Sequence, residues 1–598
     1  MAESKLMSLS YDLRSLLLSY IIRPGDLKSL CLTCKDLRDI AIRQLYRKVE
    51  IDIGSQSDLK LSAFLGRNNP GLPFVRTLIL NPDVDTYIPS PRSSPSPPPP
   101  PPPPPLIVMG GPPPPPPPMQ APPGRREPSV VIESRRWNPA HFTVSILLEL
   151  LPENILEKFQ WTSYDEFSAD NFVLLCKKQR KLSCIEVGPM DMCLLQALDK
   201  EPEVLKNLHD LHALDLYPDN ADCLQTCAKM LECAPKLDEL WIESCFPPHR
   251  GAPPEDEPNH EDESNKPGLI TSTLFRGRLP FQTCTPMTLK YLSLGKIDLR
   301  WAAQTYMKVV KFPSLEHLEV RSCPGSDALF AEMTKPAKQP VNLKSLKFSH
   351  LEDGRHYALS ALENFLRAIS SLTELYLSFT GLHPLPKIDA VCKQGEKLRT
   401  LIVQSTSPGV GATWPAYSKD EVKRLCKDCA NLEQLAIAFP PTAVLEERVS
   451  PRFGEFATTL FALRRLTTLS ITSWPERSLG SGFDAPTWQG TLSMDVYIYE
   501  IRRIAQWVFD RKTEYAEKHE VASRLRVVAF GGTPKLATVS GVSGTLPQLA
   551  YMQGQLIDPF GLRSTVALPV KPALVKYAEP DSEILTCAFG HIPIIFYE

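Results

Sequence analysis

Three pairs of residues have a spacing that metal or redox chemistry could use. Cys31 and Cys34, like Cys426 and Cys429, form CxxC pairs, and His209 and His212 stand at the same interval in NLHDLHAL. A tetrahedral zinc site needs two such cysteine pairs, or one pair with histidines, converging on one point. The cysteine pairs lie near opposite ends of the chain, each in a segment otherwise rich in leucine, so they are expected to be buried structural thiols. No acidic or cysteine partner near His209 and His212 completes a ligand set, and His212 falls inside a strand-like phrase. Gly110-Gly111 and Gly531-Gly532 lack the lysine or downstream glycine of a phosphate loop, and neither GxSxG nor HExxH occurs. The expectation is a non-enzyme: no catalytic residue, no metal and no cofactor.

Composition narrows the classes further. The 598 residues carry 66 Lys plus Arg against 68 Asp plus Glu, a formal charge of −2, so no global basic field favours nucleic acid or an anionic membrane. A hydrophobic fraction of 43% argues against wholesale disorder. Fifteen cysteines are scattered without a secretory leader, which fits a reduced, intracellular chain of the cytoplasm and/or nucleus. The longest apolar runs, 15–22 and 144–151, fall short of the roughly 18 residues a membrane helix needs.

What could position binding residues is a recurring phrase, Leu-x-x-Leu-x-apolar. Clean copies begin at Leu211, Leu237, Leu289, Leu315, Leu343, Leu372, Leu398, Leu432 and Leu466, and looser ones at Val75, Leu156, Leu182 and Leu525. From 156 to 398 the phrases step by 26, 29, 26, 52, 26, 28, 29 and 26 residues. The period and the phrase resemble leucine-rich repeats, whose units run about 20 to 29 residues. The resemblance implies an α/β solenoid, a horseshoe with parallel strands on its concave face and helices or turns on its convex face. Within each phrase the second and third apolar residues point inward from one strand, and a single unit cannot bury its apolar edge without stacked neighbours. Helical patterns at Ala221–Cys233, Leu359–Ile369 and Glu421–Cys429 precede phrases, with Pro235, Pro313 and Gly395 as breakers. Cys245 and Cys323 stand where the cysteine-containing repeat subtype turns its chain inside the solenoid.

Two stretches interrupt the array. Residues 82–139 hold most of the local proline excess, with 22 of the chain's 60 prolines between Pro89 and Pro128. Proline fixes φ and lacks a donor, so this insert is expected to be disordered. Its tract of nine prolines would span about 28 Å as polyproline II and resembles the profilin- and SH3-binding tracts of actin-nucleating formins. Residues 247–267, PPHRGAPPEDEPNHEDESNKP, are acidic and proline-rich and are likewise expected to be disordered.

The amino-terminal segment LSYDLRSLLLSYIIRPGDLKSLCLTCKDLRDIA reads as three short helices. Leu13, Leu16, Leu17, Tyr20 and Ile21 share a face of the first, which Ser10 can cap. Asp26 can cap a second carrying Leu27, Leu30 and Leu32, and a third follows to Tyr46. The pattern resembles an F-box, the module that docks on the Skp-type linker of Skp/cullin/F-box ubiquitin ligases. Matching positions include Leu9, Asp12, Leu13, Leu17, Ile21, Pro24, Leu27, Leu30, Leu32 and Arg38, while Ser10, Thr33 and Leu37 depart from it. The resemblance implies linker contacts at Leu9, Leu13, Leu17, Ile21, Pro24, Leu27, Leu30 and Leu32.

The expected organisation is an F-box-like module over 1–50, a first repeat or cap over 51–81, the proline-rich insert over 82–139, repeats over 140–531, and a cap over 532–598. Outward positions of the early phrases carry aromatic anchors framed by charge: Glu186, Asp215, Tyr217, Glu239, Trp241, Glu243, Tyr291, His317, Glu319, Arg321, Lys347, Glu374 and Tyr376. Later phrases offer Thr400, Gln404, Gln434, Ala436, Thr468 and Ser470 instead. Trp241, Tyr291, Glu319, Arg321 and Tyr376 are the candidate substrate-binding residues. The expected function is a ubiquitin-ligase substrate adaptor whose partners are the linker with its cullin and an unidentified protein. The alternative is a repeat scaffold binding profilin or SH3 domains through the polyproline tracts.

Overall fold

The computed structural model describes residues 6 and 8–586, except 22, 54–63, 67–68, 83–138, 163–165, 189, 191–192, 219–220, 245–267, 277–284, 336–341, 351–356, 381–383, 407–414, 445–447, 476–493, 532–547, 558–560, 562 and 580–581. Nearly all of the proline-rich insert, the acidic insert and Cys245 lie outside the described residues.

Each of the thirteen phrases forms a strand within two residues of its first apolar position. Leu-x-x-Leu-x-Ile at 237 gives Glu239–Glu243, and the phrase at 372 gives Glu374–Thr380. The reason is the period-two alternation: Leu240 and Ile242 go to one side, while Glu239, Trp241 and Glu243 go to the other. The strands are β1 (Lys48–Ile53), β2 (Thr77–Pro82), β3 (Lys158–Trp161), β4 (Cys184–Glu186), β5 (Ala213–Leu216), β6 (Glu239–Glu243), β7 (Tyr291–Gly295), β8 (His317–Arg321), β9 (Ser345–His350), β10 (Glu374–Thr380), β11 (Thr400–Thr406), β12 (Gln434–Ile437), β13 (Thr468–Ile471), β14 (Val527–Phe530), β15 (Leu549–Ile557) and β16 (Arg563–Val570). They form one open sheet in strict chain order, parallel from β1 to β14. The last two strands pair antiparallel at its edge.

Parallel neighbours in chain order need a crossover in every unit, and helices such as Ala221–Cys233, Tyr357–Ala368 and Lys419–Asp428 supply it. Their apolar faces meet the second and third leucines of the phrases in one continuous core running from Ile51 to Ala567. Each fully buried leucine contributes about 1.5 to 3 kcal/mol, so stacking units supplies what one unit lacks. Ser418 caps the Lys419–Asp428 helix in a reciprocal box with Glu421. Buried amides tie units together where helices end. Gln179 accepts from the Ile155 and Leu156 amides and donates to the Pro152 carbonyl, and Gln394 donates to the Leu366 and Ile369 carbonyls. Cys323 is buried after β8, its Sγ 3.4 Å from the Leu294 carbonyl, and burial pushes its thiol up to about 12.

The amino-terminal module is three helices: α1 (Tyr11–Ser19), α2 (Pro24–Cys31) and α3 (Lys35–Arg47). Ser10 caps α1 by accepting from the Leu13 amide. Asp26 does not cap α2: the helix starts earlier, with Arg23 as the capping position and Pro24 in its first turn, where a missing amide proton costs nothing. The module has its own core of Leu18, Leu27, Leu37, Ile40 and Ala41. α3 runs directly into β1, and the Arg43 guanidinium sits 5.0 Å from the centre of the Phe74 ring.

The last described residues depart from a simple end cap. β15 and β16 extend the edge, but the helices that follow, α4 (Pro572–Ala578) and α5 (Glu583–Thr586), fold back onto the sheet face opposite the repeat helices. There Val575, Ile584 and Leu585 form a second buried cluster with Tyr376, Ile402, Ala436, Val527, Ala529 and Ala550. The Ile584 amide donates to Gln434 Oε1 at 3.0 Å, and the Thr468 and Ser582 hydroxyls lie 2.6 Å apart.

Candidate functional site

Strand register fixes what stands beside what on the face opposite the repeat helices. Glu186 is followed by Asp215 at the next position in line, and Asp215 aligns with Trp241, Ser293, Glu319, Lys347 and Tyr376 across β5 to β10. One step along the strands, Glu243, Gly295, Arg321 and Ser349 are in line. The candidate residues Trp241, Tyr291, Glu319, Arg321 and Tyr376 therefore share one face, with Trp241, Tyr291, Glu319 and Arg321 in mutual contact on β6 to β8.

Aromatic and ionic contacts interlock in that patch. The Trp241 and Tyr291 rings stand 4.9 Å apart between centroids, and Tyr291 stacks on His317 at 5.9 Å. The Tyr291 hydroxyl donates to Glu319 Oε2 at 2.6 Å. Arg321 joins two carboxylates, Glu319 on its own strand at 3.0 Å and Glu243 two strands away at 3.2 Å. Lys296 reaches Glu243 from the other side at 3.0 Å. The ion pair spans β7 because position 295 is glycine: a Cβ there would stand 3.0 Å from Glu243 Cγ. Lys296 and Ser322, which follow Gly295 and Arg321, both take a left-handed backbone (φ 54° and 51°), so strain gathers where β7 and β8 leave the patch.

The electrostatics follow from burial. Desolvation, then the nearby Glu186, lifts the Asp215 carboxyl well above the usual range, although Tyr217 donates to its Oδ2 at 2.8 Å. Burial, with Glu319, pushes the Tyr291 phenol well up. Burial opposes the charge on Arg321, but Glu319 and Glu243 more than restore it and hold it protonated. Lys158 pairs with Glu186 at the near edge, and Lys347 stands 5.4 Å over the Tyr376 ring at the far edge. An arrangement of rings framed by fixed charges can bind by stacking and ion pairing.

Trp241 and Tyr376 lie on the expected side of the sheet, away from the leucine core, but they are buried rather than solvated. Gln434, Ala436, Thr468 and Ser470 are buried too, beside the α4 and α5 segment. Nothing periodic marks that segment; the signal in the sequence was the loss of charge from the outward positions of the later phrases.

The residues assigned to a linker surface divide. Leu13 and Leu17 are exposed on α1 with Leu16 and Tyr20, and Leu32 is exposed just beyond α2. Pro24 is exposed, while Leu9, Ile21 and Leu30 are half-buried. Leu27 does not belong to that surface: at 4% exposure it is part of the module's core, because α2 turns this residue toward Leu37 and Ile40 of α3.

The candidate metal residues are dispersed. Cys426 and Cys429 are buried, Cys31 is half-buried and Cys34 exposed. His212 does have an acidic neighbour, Asp238, 2.9 Å from its Nδ1, but that carboxylate also pairs with Lys290. No helix among the described residues is long and apolar enough to cross a membrane. No protein-family model and no curated protein matches this chain.

Proposed function

We propose that this chain is an F-box and leucine-rich-repeat adaptor, in which α1 to α3 dock on a Skp-type linker and the sheet holds a protein substrate beside a cullin-based ubiquitin ligase. The observation that carries the reading is the exposed apolar surface of Leu13, Leu16, Leu17, Tyr20 and Leu32 on a module that already has its own core. Five large apolar side chains are exposed on this small module, two of them 76% and 88% at Tyr20 and Leu32, and exposed apolar surface of this kind suits an interface. The repeat reading rests on the 26 to 29 residue step of the phrases and on strands stacked in chain order. Such a protein accelerates ubiquitin transfer by proximity alone.

The patch of Trp241, Tyr291, Glu319 and Arg321 is the substrate surface in this reading: the half-buried Tyr291 supplies the accessible ring, and the buried Trp241 and Glu319 hold it in place. The test is co-purification of the full chain from cells. Recovery of a Skp-type linker and a cullin is expected. Leu13→Asp with Leu17→Asp abolishes it while thermal unfolding stays near that of the native chain, since both side chains are already solvated. Leu27→Asp lowers the stability of the module itself and so separates a lost interface from a lost fold. Absence of the linker from the native chain's complexes sinks the adaptor reading and leaves a repeat scaffold.

A further inference from the structure

The last strand of a sheet ordinarily turns a row of backbone amides and carbonyls to solvent, where a strand of another chain can pair with them. β16 holds that place, since no strand follows it in the sheet among the described residues. Its sequence, RSTVALPV, is uncharged beyond Arg563 and rich in β-branched residues. Leu556, Ile557 and Leu568 on the β15–β16 hairpin are 57%, 60% and 44% exposed. An edge of this composition invites pairing with a second copy of itself.

The backbone groups that face away from β15 are nevertheless taken. In an antiparallel pair, successive residues turn these groups alternately toward and away from the partner strand; Ala567 bonds outward, so Thr565 and Pro569 face outward with it. Side chains of the long helix Met494–Lys518 meet this row. The Ala567 amide donates to Gln506 Oε1 at 2.7 Å, Gln506 Nε2 donates to the Thr565 carbonyl at 2.9 Å, and Arg502 Nε donates to the Ala567 carbonyl at 2.9 Å. The Gln506 amide thus makes the two bonds that a neighbouring strand would make. Asp510, one turn further on, accepts from the same Nε2 at 2.8 Å and so fixes which way the amide points. Pro569 has no amide proton to offer at the next outward position. The helix is anchored apart from these contacts: Ile501, Ile504, Ala505 and Val508 are buried in the leucine core, and the Tyr551 hydroxyl of β15 donates to the Ile498 carbonyl at 3.1 Å.

We propose that β16 is a strand-pairing edge fitted to the same edge of a second copy of this chain, and that Arg502 and Gln506 occupy it in cis and block that pairing. An antiparallel edge is self-complementary about a two-fold axis, so Thr565 and Ala567 of one copy can bond to Ala567 and Thr565 of the other. One helix can cover the row because four residues of helix rise about 6 Å, close to the roughly 6.8 Å between alternate residues of a strand. The blocked edge lies apart from the linker and substrate surfaces, so it stands or falls independently of the adaptor reading.

Two measurements on the full chain test it. In hydrogen exchange the Ala567 amide of the native protein is expected to be protected although β16 is last in the sheet, and exchange at the rate of an unpaired amide overturns the proposal without any variant. Arg502→Ala with Gln506→Ala opens the edge. Arg502 is exposed and Gln506 half-buried, so the melting temperature should stay close to that of the native chain. Sedimentation velocity should then show a species of twice the native mass that grows with concentration. Adding Thr565→Pro, which removes an outward amide proton from β16, should return the mass to that of the native chain. No added association in the double variant overturns the proposal, and so does association that survives Thr565→Pro, since the contact then lies elsewhere.

Discussion

The two halves of the face opposite the repeat helices use the same backbone differently. Across β4 to β9 the outward row runs Glu186, Asp215, Trp241, Ser293, Glu319 and Lys347, held together by Arg321, Tyr291 and Tyr217. Across β11 to β15 the equivalent row is Ile402, Ala436, Ser470, Ala529 and Ala550, and α4 and α5 lie on it. Both rows leave the leucine core untouched. A repeat sheet thus gets its scaffold from one side of each strand and is free to specialise on the other, for binding in one stretch and for self-packing in the next.

Truncations on the core side should ignore this division and give the largest effects. Leu240→Ala on β6 and Leu435→Ala on β12 each remove a fully buried side chain from the same continuous core and should each cost about 2 to 5 kcal/mol. Chemical denaturation measures both. A loss confined to one half would mean that the two halves do not share a core.

Charge on the covered row comes next. Ala436→Glu buries a carboxylate with no partner beside Ile584 and Leu585, but the α4 and α5 segment can lift away instead of the sheet unfolding. The expected result is faster amide exchange and cleavage within 572–586 with a smaller fall in melting temperature than Leu435→Ala. A melting temperature as low as that of Leu435→Ala would show that the segment is part of the cooperative fold.

How much of this difference the sequence carries can be seen at particular residues. The phrase at Leu372 places β10 to within a residue because two leucines at an interval of two, flanked by polar residues, have only one amphipathic solution. Strand β1 was harder, since LYRKVEID contains no phrase and is ordered by pairing with β2. In α1, four apolar residues lie within Leu13–Leu18, so nine residues of helix cannot reveal by period that Leu18 faces inward and Leu17 outward. The placement of Leu27 failed for the same reason. Contacts that depend on distant chain, such as Ile584 on Gln434, leave no local period at all; only the drift from charged to small outward residues hints at them.

Titration separates the halves more gently. Burial and Glu186 hold the Asp215 carboxyl well above its ordinary value, so the folded chain keeps a proton that the unfolded chain releases near about pH 4. The stabilising contribution of this group is full below that pH and is lost as pH rises through the raised value. Asp215→Asn keeps an acceptor for the Tyr217 hydroxyl and removes the titration. Its stability should exceed that of the native chain at neutral pH, and the pH slope between the two proton-release points should flatten. Thr468→Val, in the covered row, should leave the slope unchanged. A native slope that survives Asp215→Asn would assign it to another group.

The smallest effect tests whether the Glu243–Arg321 pair depends on the glycine between its partners. A methyl group at residue 295 would stand 3.0 Å from Glu243 Cγ, 3.2 Å from its Cβ and 3.3 Å from its Cδ, so the glutamate must move by a few tenths of an ångström away from Arg321 and Lys296. Overpacking of this kind costs about 1 to 3 kcal/mol in a rigid core. Glu243 is the yielding partner here, and an alanine in place of a strand glycine returns about 0.5 to 1 kcal/mol of backbone entropy. Gly295→Ala should therefore destabilise by only about 1 kcal/mol. In a Glu243→Ala background only the 3.2 Å approach to Cβ remains, a few tenths of an ångström to relax, the ion pair is already lost, and the same substitution should become neutral or stabilising. The double-mutant cycle reads that sign change directly. Equal costs in both backgrounds would mean that the glycine serves β7 itself and that the charged half of the face, like the covered half, is held by packing alone.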